Sequence, residues 1–491
     1  MPALTADILG SHSPAVGLPT YDRAAVRIGI VHFGVGGFHR AHQAMYVDRL
    51  MNDGLALDWG ICGVGVMPSD RAMAEALTPQ DGLYTLVVKH AEGHLEPRVI
   101  GSIVEFVYAP ETPDRVLDVL CAATTRVVSL TITEGGYNFN QATHEFIADD
   151  PAIAADLAPG AVPRTVFGYV IEALDRRRRA GIPPFTVMSC DNIQANGHIA
   201  RQMFTSFARL KNPELAAWMD GQVRFPNSMV DRITPVTTAA DREQLRERFG
   251  VEDNWPVVCE PFSQWVLEDD FTLGRPPLER AGVQLVPDVE PYELMKLRLL
   301  NAGHQAIAYF GYLLGHRYVH EAATDARLTA FALAYMDREA TPTLRPVPGV
   351  DLDAYKQELI ERFSNAEIRD TVARLCAESS DRIPKWVLPV LRHNLASGGP
   401  ISHTTAIVAS WARYAEGFDE NGQPIEIVDR LAGEVSEAAR RYAEDPYALI
   451  GMAQLFGDLA GNEVFRAEYL RISTSIHTDG VAHTLEDLNQ A

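Results

Sequence analysis

Arg27-Ile-Gly-Ile-Val-His-Phe33-Gly34-Val35-Gly36-Gly37-Phe38-His39 is the stretch on which the reading of this chain turns. A short apolar run ends in a cluster of glycines, after which Phe38 to Met51 takes helical spacing. Strand, glycine turn and helix open a mononucleotide-binding unit, in which bare backbone can approach a pyrophosphate at a helix N-terminus. Gly34, Val35, Gly36, Gly37 and Phe38 are therefore the candidate cofactor-binding residues. His39 stands where the G-x-G-x-x-G pattern has its third glycine, the one that lets helix and strand pack closely. Taken alone, the stretch is a weak signal that a structural turn would also give.

Outward from that turn, Trp59 to Val66, Arg126 to Thr133 and Phe185 to Cys190 read as further buried strands. Helical patterns lie at Pro113 to Ala123 and Val166 to Arg179. Alternating strand and helix predicts a mostly parallel sheet covered on both faces. Asp70, just after the second strand, strengthens the cofactor reading. An acid there can accept both ribose hydroxyls of NAD, while its charge repels the extra phosphate of NADP. It lies further along than the usual spacing of about 20 residues, which a long first connection would explain. Beyond about residue 285 the pattern becomes helical, with helices expected over 293–315, 322–336, 352–363, 366–376, 385–396, 404–415, 427–442 and 463–472. The expected organisation is a Rossmann-type α/β domain over residues 1–285 and a mostly helical one over 286–491.

Of 491 residues, 47% are hydrophobic and 22% charged, an ordinary globular composition with ample material for a core. Lys and Arg number 43 against 65 Asp and Glu, a balance of -22 that argues against nucleic acid and anionic membrane surfaces. The dense basic run Arg176 to Arg179 reads as a solvated helix C-terminus, where positive charge suits the dipole. Five scattered cysteines with no C-x-x-C pair argue against a disulfide framework and fit a reducing compartment. Met1 to Asp7 lacks a basic n-region and a long apolar stretch, so no signal peptide is indicated. The apolar stretch Leu299 to Leu314 is too often interrupted to span a membrane. A cytoplasmic protein is expected, and since no long heptad or hydrophobic edge strand requires an oligomer, a monomer.

Chemistry is most visible in Lys296-Leu-Arg-Leu-Leu-Asn301-Ala-Gly-His304. At roughly 100° per residue on a regular α-helix, an amine, an amide and an imidazole share about 140° of arc on an otherwise apolar helix. A lysine against apolar surface loses solvation of its charged form, which lowers its pKa toward the range of a general base. The same residues also suit a snorkelling lysine with Asn and His satisfied in a core. Glu134 and Asn192 sit where presumed parallel strands end, the side on which open sheets bind ligands, though either could be a loop cap. His32, His39 and His42 have spacing that could meet a metal. No carboxylate or thiolate lies at a matching spacing, and no metal is expected.

Together these residues resemble the polyol-specific long-chain dehydrogenases, over nearly the whole chain. The resemblance rests on His32-Phe-Gly-Val-Gly-Gly-Phe-His-Arg-Ala-His-Gln43, Thr131-Ile-Thr-Glu-Gly-Gly-Tyr137, Ser189-Cys-Asp-Asn192, Val230-Asp-Arg-Ile-Thr-Pro235 and Trp255-Pro-Val-Val-Cys-Glu-Pro261. Tyr309, the Lys296 to His304 segment and Val347-Pro-Gly349 extend it. It implies a metal-independent, NAD-dependent enzyme with its active site between two domains, converting D-mannitol reversibly to D-fructose. On that resemblance Lys296 would take the proton of the C2 hydroxyl, and Asn192 and Asn301 would donate hydrogen bonds to the developing alkoxide. His304 would orient a substrate hydroxyl, Asp231 would lie beside the base, and Glu134 would relay the proton to solvent. Arg374 and Arg382 would line the polyol site.

Two departures stand out. A lysine is expected where Arg382 stands, which alters reach and geometry along the polyol tail. Ser69 replaces a second acid that members can carry, so discrimination against NADP is expected to be weaker. The alternatives are a hexuronate reductase acting on fructuronate, a dehydrogenase of D-arabinitol or another polyol, and a nucleotide-binding regulatory protein that has lost catalysis.

Overall fold

The computed structural model describes residues 4–5, 14–140 and 145–490. Apart from Leu4 and Thr5, the reading of Met1 to Asp7 lies outside them. The chain divides into two compact units, Met1–Glu290 and Pro291–Ala491, the break falling at the start of the helix Glu290–Met295.

The first unit is built on five parallel strands: β1 (Ile28–Phe33), β2 (Gly60–Gly65), β5 (Ile103–Tyr108), β6 (Val127–Leu130) and β7 (Thr186–Ser189), in the order β5-β2-β1-β6-β7. Strands β2, β6 and β7 are buried at every position, because helices cover both faces. Side chains alternate between the faces. Val31, Phe33, Val128 and Leu130 join one core with the helices Val166–Arg179 and Asn196–Lys211, while Ile30, Val127 and Met188 join the other with the helix Gln43–Asn52. The strand order reverses between β1 and β6, the switch point where open sheets leave a crevice for ligands. The sequence reading gave β1, β2, β6 and β7 but not β5, whose pattern Ile-Val-Glu-Phe-Val-Tyr mixes charge with apolar residues at a sheet edge.

Between and after these strands lie two three-stranded sheets that the sequence did not disclose. One pairs β3 (Tyr84–Lys89) with β4 (Leu95–Ile100) and β9 (Val257–Cys259); the other pairs β10 (Gln264–Glu268) with β8 (Ser228–Asp231) and β11 (Gln284–Val286). The basic run also departs from expectation. Arg176, Arg178 and Arg179 pair with Glu172 and Asp175 near the surface, but Arg177 is fully buried. Its guanidinium donates to the carbonyls of Leu120, Ala122 and Pro183 at 2.8–2.9 Å, tying the end of the helix Pro113–Cys121 to the connection before β7.

The second unit is helical. The stretch read as one helix over 322–336 is broken at Asp325, whose extended backbone and carboxylate cap a new helix at Ala326–Tyr335. The helix read over 366–376 shortens to Val372–Cys376, and the last helix, Val481–Gln490, was not anticipated. Among the described residues three segments are π-helical: Lys296–Asn301, Met336–Ala340 and Ile383–Val387. The first packs against both of the others. Among the described residues no helix is long and apolar enough to cross a membrane.

Candidate active site

At the glycine turn each residue has a different reason to be there. Gly34 has φ of 91°, and an added Cβ would lie 2.0 Å from the carbonyl oxygen of Thr131, so the fold itself requires it. Gly36 has no such constraint: the nearest atom to an added Cβ is 3.9 Å away. Its bareness leaves backbone open beside the first residues of the helix Gly37–Ala41, as a pyrophosphate needs. The Val35 side chain packs over Gly63, and the Phe38 ring stacks on His42 at 4.9 Å. Those two residues therefore have only backbone to offer a cofactor.

His39 stands in for the third glycine by lying flat. Its ring stacks on His32 with centroids 3.4 Å apart. His32 in turn meets Ser129 Oγ at 2.7 Å and Thr131 Oγ1 at 2.9 Å. Burial pushes the His32 pKa down to about 3 and that of His39 well below its usual value, so both rings are neutral and can stack without repulsion. Among the described residues no group of three or more His, Cys, Asp or Glu side chains is placed to hold a metal ion.

Asp70 folds back over the end of β2, its Oδ2 accepting the Met67 backbone N–H at 2.9 Å. Gly65 makes room, since a Cβ there would meet the Asp70 Cβ at 2.5 Å. Beside it, at the carboxyl ends of β2 and β5, a cavity of about 380 Å³ is lined by Val66, Ala109, Pro110, Pro113, Val162, Pro163 and Tyr169, with Arg164 as its one charged residue. A mostly apolar slot next to an acid suits a flat purine with its ribose. The NAD reading thus has a bare turn, an acid and a slot at the ends of adjacent strands.

Glu134, Asn192 and Asp231 lie at or just beyond the carboxyl ends of β6, β7 and β8. One residue that the sequence reading assigned no role pins two of these ends together. Asp191 accepts the backbone N–H groups of Ile132 and Thr133 at 3.1 and 2.7 Å and the hydroxyl of Tyr137 at 2.8 Å. This fixes Thr133 at φ of 62°, a conformation β-branched residues avoid, immediately before Glu134. Burial pushes the Asp191 pKa up to about 6, with the three hydrogen bonds opposing it. Asn196, fully buried, ties the same loop to β8: its Nδ2 donates to Asp191 O and Ser228 O, and its Oδ1 accepts from Ser228 N. Ser189-Cys-Asp-Asn192 was visible as a motif; what Asp191 binds is set by chain segments far away in sequence.

In the second unit, Lys296, Asn301 and His304 are 7%, 5% and 7% exposed. The π segment changes their geometry from that of a regular helix. Bonding from i to i+5 sets Asn301 nearly in line with Lys296, closer than the α-helical arc predicts, and His304 follows one α-turn later. Asn301 Nδ2 and His304 Nε2 are buried without a hydrogen-bond partner. An unpaired buried polar atom costs about 1–3 kcal/mol, so these two, on the same helix as the buried Lys296, offer a polar ligand a hydrogen-bonding place. His304 stacks on Phe363 at 4.0 Å, and burial, with Arg374, Arg362, Arg382 and Lys296 nearby, holds its ring neutral.

Arg374 is forked onto Asp370, one bond measuring 2.5 Å. Arg382 donates from Nη1 to the carbonyls of Arg374 and Leu375 at 3.0 and 2.9 Å and lies over the Trp386 ring. Gln305, adjacent to His304, donates to Leu375 O at 3.1 Å and accepts from Tyr309, whose hydroxyl also meets Ser379 Oγ. These contacts join the Lys296 helix to the arginine-bearing segment.

A family model described as the mannitol dehydrogenase Rossmann domain matches residues 28–280, and one described as the mannitol dehydrogenase C-terminal domain matches 288–475. The chain is 46% identical over 477 residues to a mannitol 2-dehydrogenase of Aspergillus fumigatus, covering 96% of this chain and 95% of that protein. Among solved structures, the ternary complex of Pseudomonas fluorescens mannitol 2-dehydrogenase with NAD and D-mannitol is similar with a TM-score of 0.91 and 46% identity, covering 100% of both chains. A D-sorbitol dehydrogenase in substrate-free form also gives 0.91, at 37% identity, covering 99% of this chain and 100% of that one.

Proposed function

The chain belongs to the mannitol dehydrogenase family, and from that premise we propose that it interconverts D-mannitol and D-fructose with NAD, using Lys296 as general base and no metal ion. The observation that carries this reading is the buried face of Lys296, Asn301 and His304, with two polar atoms aimed at no protein partner. Bound NAD supplies the hydride acceptor in the oxidative direction. The neutral amine of Lys296 takes the proton of the C2 hydroxyl, while Asn301 and Asn192 donate hydrogen bonds to the oxygen as charge develops on it. His304, held neutral, orients a neighbouring hydroxyl. Glu134 passes the proton on to solvent, and Asp231 supports the base. On the cofactor side, Gly36 admits the pyrophosphate and Asp70 takes the ribose hydroxyls. We extend the proposal to a monomer acting in the cytoplasm, a reducing compartment that suits five free cysteines.

Reduction of a hexuronate would call for an arginine able to meet a carboxylate. Arg374 is engaged with Asp370 and Arg382 with two backbone carbonyls, which weighs against it. NADH consumption with fructose, fructuronate, tagaturonate and xylulose, each with and without prolonged chelation, tests the proposal. Fructose is expected to lead and chelation to change nothing. A lead for fructuronate would replace the substrate assignment, and a chelation loss restored by zinc would replace the mechanism.

A further inference from the structure

We propose that an ion pair between Arg71 and Glu111 gates the use of NADP in place of NAD. Arg71 directly follows Asp70, and its Nη2 lies 2.6 Å from Glu111 Oε1. The guanidinium sits over the ring of Tyr108, 5.2 Å from its centroid, at the end of β5. Ala109 and Pro110, the next two residues, line the apolar slot. Arg71 therefore bridges the ends of β2 and β5 beside the place assigned to the adenosine. A phosphate on the ribose 2′-oxygen would arrive at the neighbours of Asp70, where Ser69 is exposed and Arg71 is the cation of the stretch Met67 to Ala72, with Arg164 a second cation at the slot.

An arginine fork is the side chain best matched to a phosphate, and this one lies over the Tyr108 ring. Glu111 takes up one arm of the fork and places a carboxylate where the dianion would come. NADP is thus opposed twice: by the charge of Asp70, and by Glu111 neutralising the residue that could compensate for it. Both partners are 56% exposed, and an ion pair so exposed is weakly held, so a phosphate can compete for the fork. Relieving Glu111 opens the gate; removing Arg71 closes it for good.

The inference rests on NAD as cofactor with Asp70 at its ribose. The test compares kcat/KM for NADP and NAD in the unaltered chain, Glu111→Gln, and Glu111→Gln combined with Arg71→Gln. Binding of 2′-AMP and of 5′-AMP to the free protein is measured in parallel by titration calorimetry. Glu111→Gln should raise the NADP-to-NAD ratio about tenfold, the scale of one charge-assisted hydrogen bond, and tighten 2′-AMP relative to 5′-AMP. The added Arg71→Gln should cancel both gains. An unmoved ratio in Glu111→Gln overturns the gate, as does a gain that survives loss of Arg71, which would be charge removal alone. Failure of the unaltered chain to use NAD would instead remove the cofactor reading beneath it.

Discussion

At the glycine turn the chemistry is offered by backbone, and the nearby His39 and His42 rings are stacked on His32 and Phe38 rather than turned to a ligand. Along the Lys296 helix the chemistry is offered by side chains, and two of their polar atoms have no protein partner. The first arrangement suits a ligand shared by many enzymes, the pyrophosphate and ribose of a dinucleotide, which backbone N–H groups and one acid can recognise. The second suits a reacting group whose charge changes during the reaction, because preorganised donors in a buried site stabilise that charge most strongly. On the proposed function one region holds the cofactor and the other does the proton chemistry, so damage to the two should look different.

The largest expected effect is on the second region. Lys296→Ala should lower turnover by about 10²–10⁴-fold, the range of a general base, with NADH binding in a fluorescence titration nearly intact. A parallel loss of NADH affinity would blur the division between the regions.

Next in size is the pin behind the first region. The Asp191 carboxyl has a folded pKa of about 6 against a usual 3.8. Because the folded state binds this proton more tightly, the contribution is fully present below about pH 4 and is lost as pH rises through about 6. It amounts to something on the order of 3 kcal/mol. Urea unfolding from pH 4 to 7 should therefore show a downward slope in the unaltered chain that Asp191→Asn flattens; parallel profiles would contradict it.

The smallest effect sharpens the turn itself. Gly36→Ala should raise the KM for NAD about tenfold at unchanged melting temperature, since its Cβ meets nothing closer than the Gly34 carbonyl oxygen at 3.9 Å. Gly34→Ala should melt early, because positive φ costs about 1–2 kcal/mol before its clash with Thr131 is counted. Equal melting temperatures would show that the two glycines do not divide the work between fold and ligand.

How much of this was legible followed the range of the interactions. The turn after β1, the parallel strands at the sheet centre and the polar face of the Lys296 helix are written in residues close together in sequence. The edge strand β5 was hidden because one of its faces meets fewer neighbours. The role of Asp191 was hidden because its partners, Ile132, Thr133 and Tyr137, come from another strand end. The π segment was hidden for a different reason. A pattern of apolar spacing reports which face is buried but not whether one residue has been added to a turn, and that addition is what brings Asn301 into line with Lys296. Arg177 shows the same limit: four consecutive arginines look alike until their carbonyl partners are known.

Amine rescue of Lys296→Ala addresses the central claim most directly. Mannitol oxidation by that variant should be restored in part by small primary amines such as methylamine, with the restored rate rising as the unprotonated fraction of the amine rises with pH. Near-normal turnover without added amine, or an amine response that does not follow the neutral fraction, would contradict a proton transfer to Lys296.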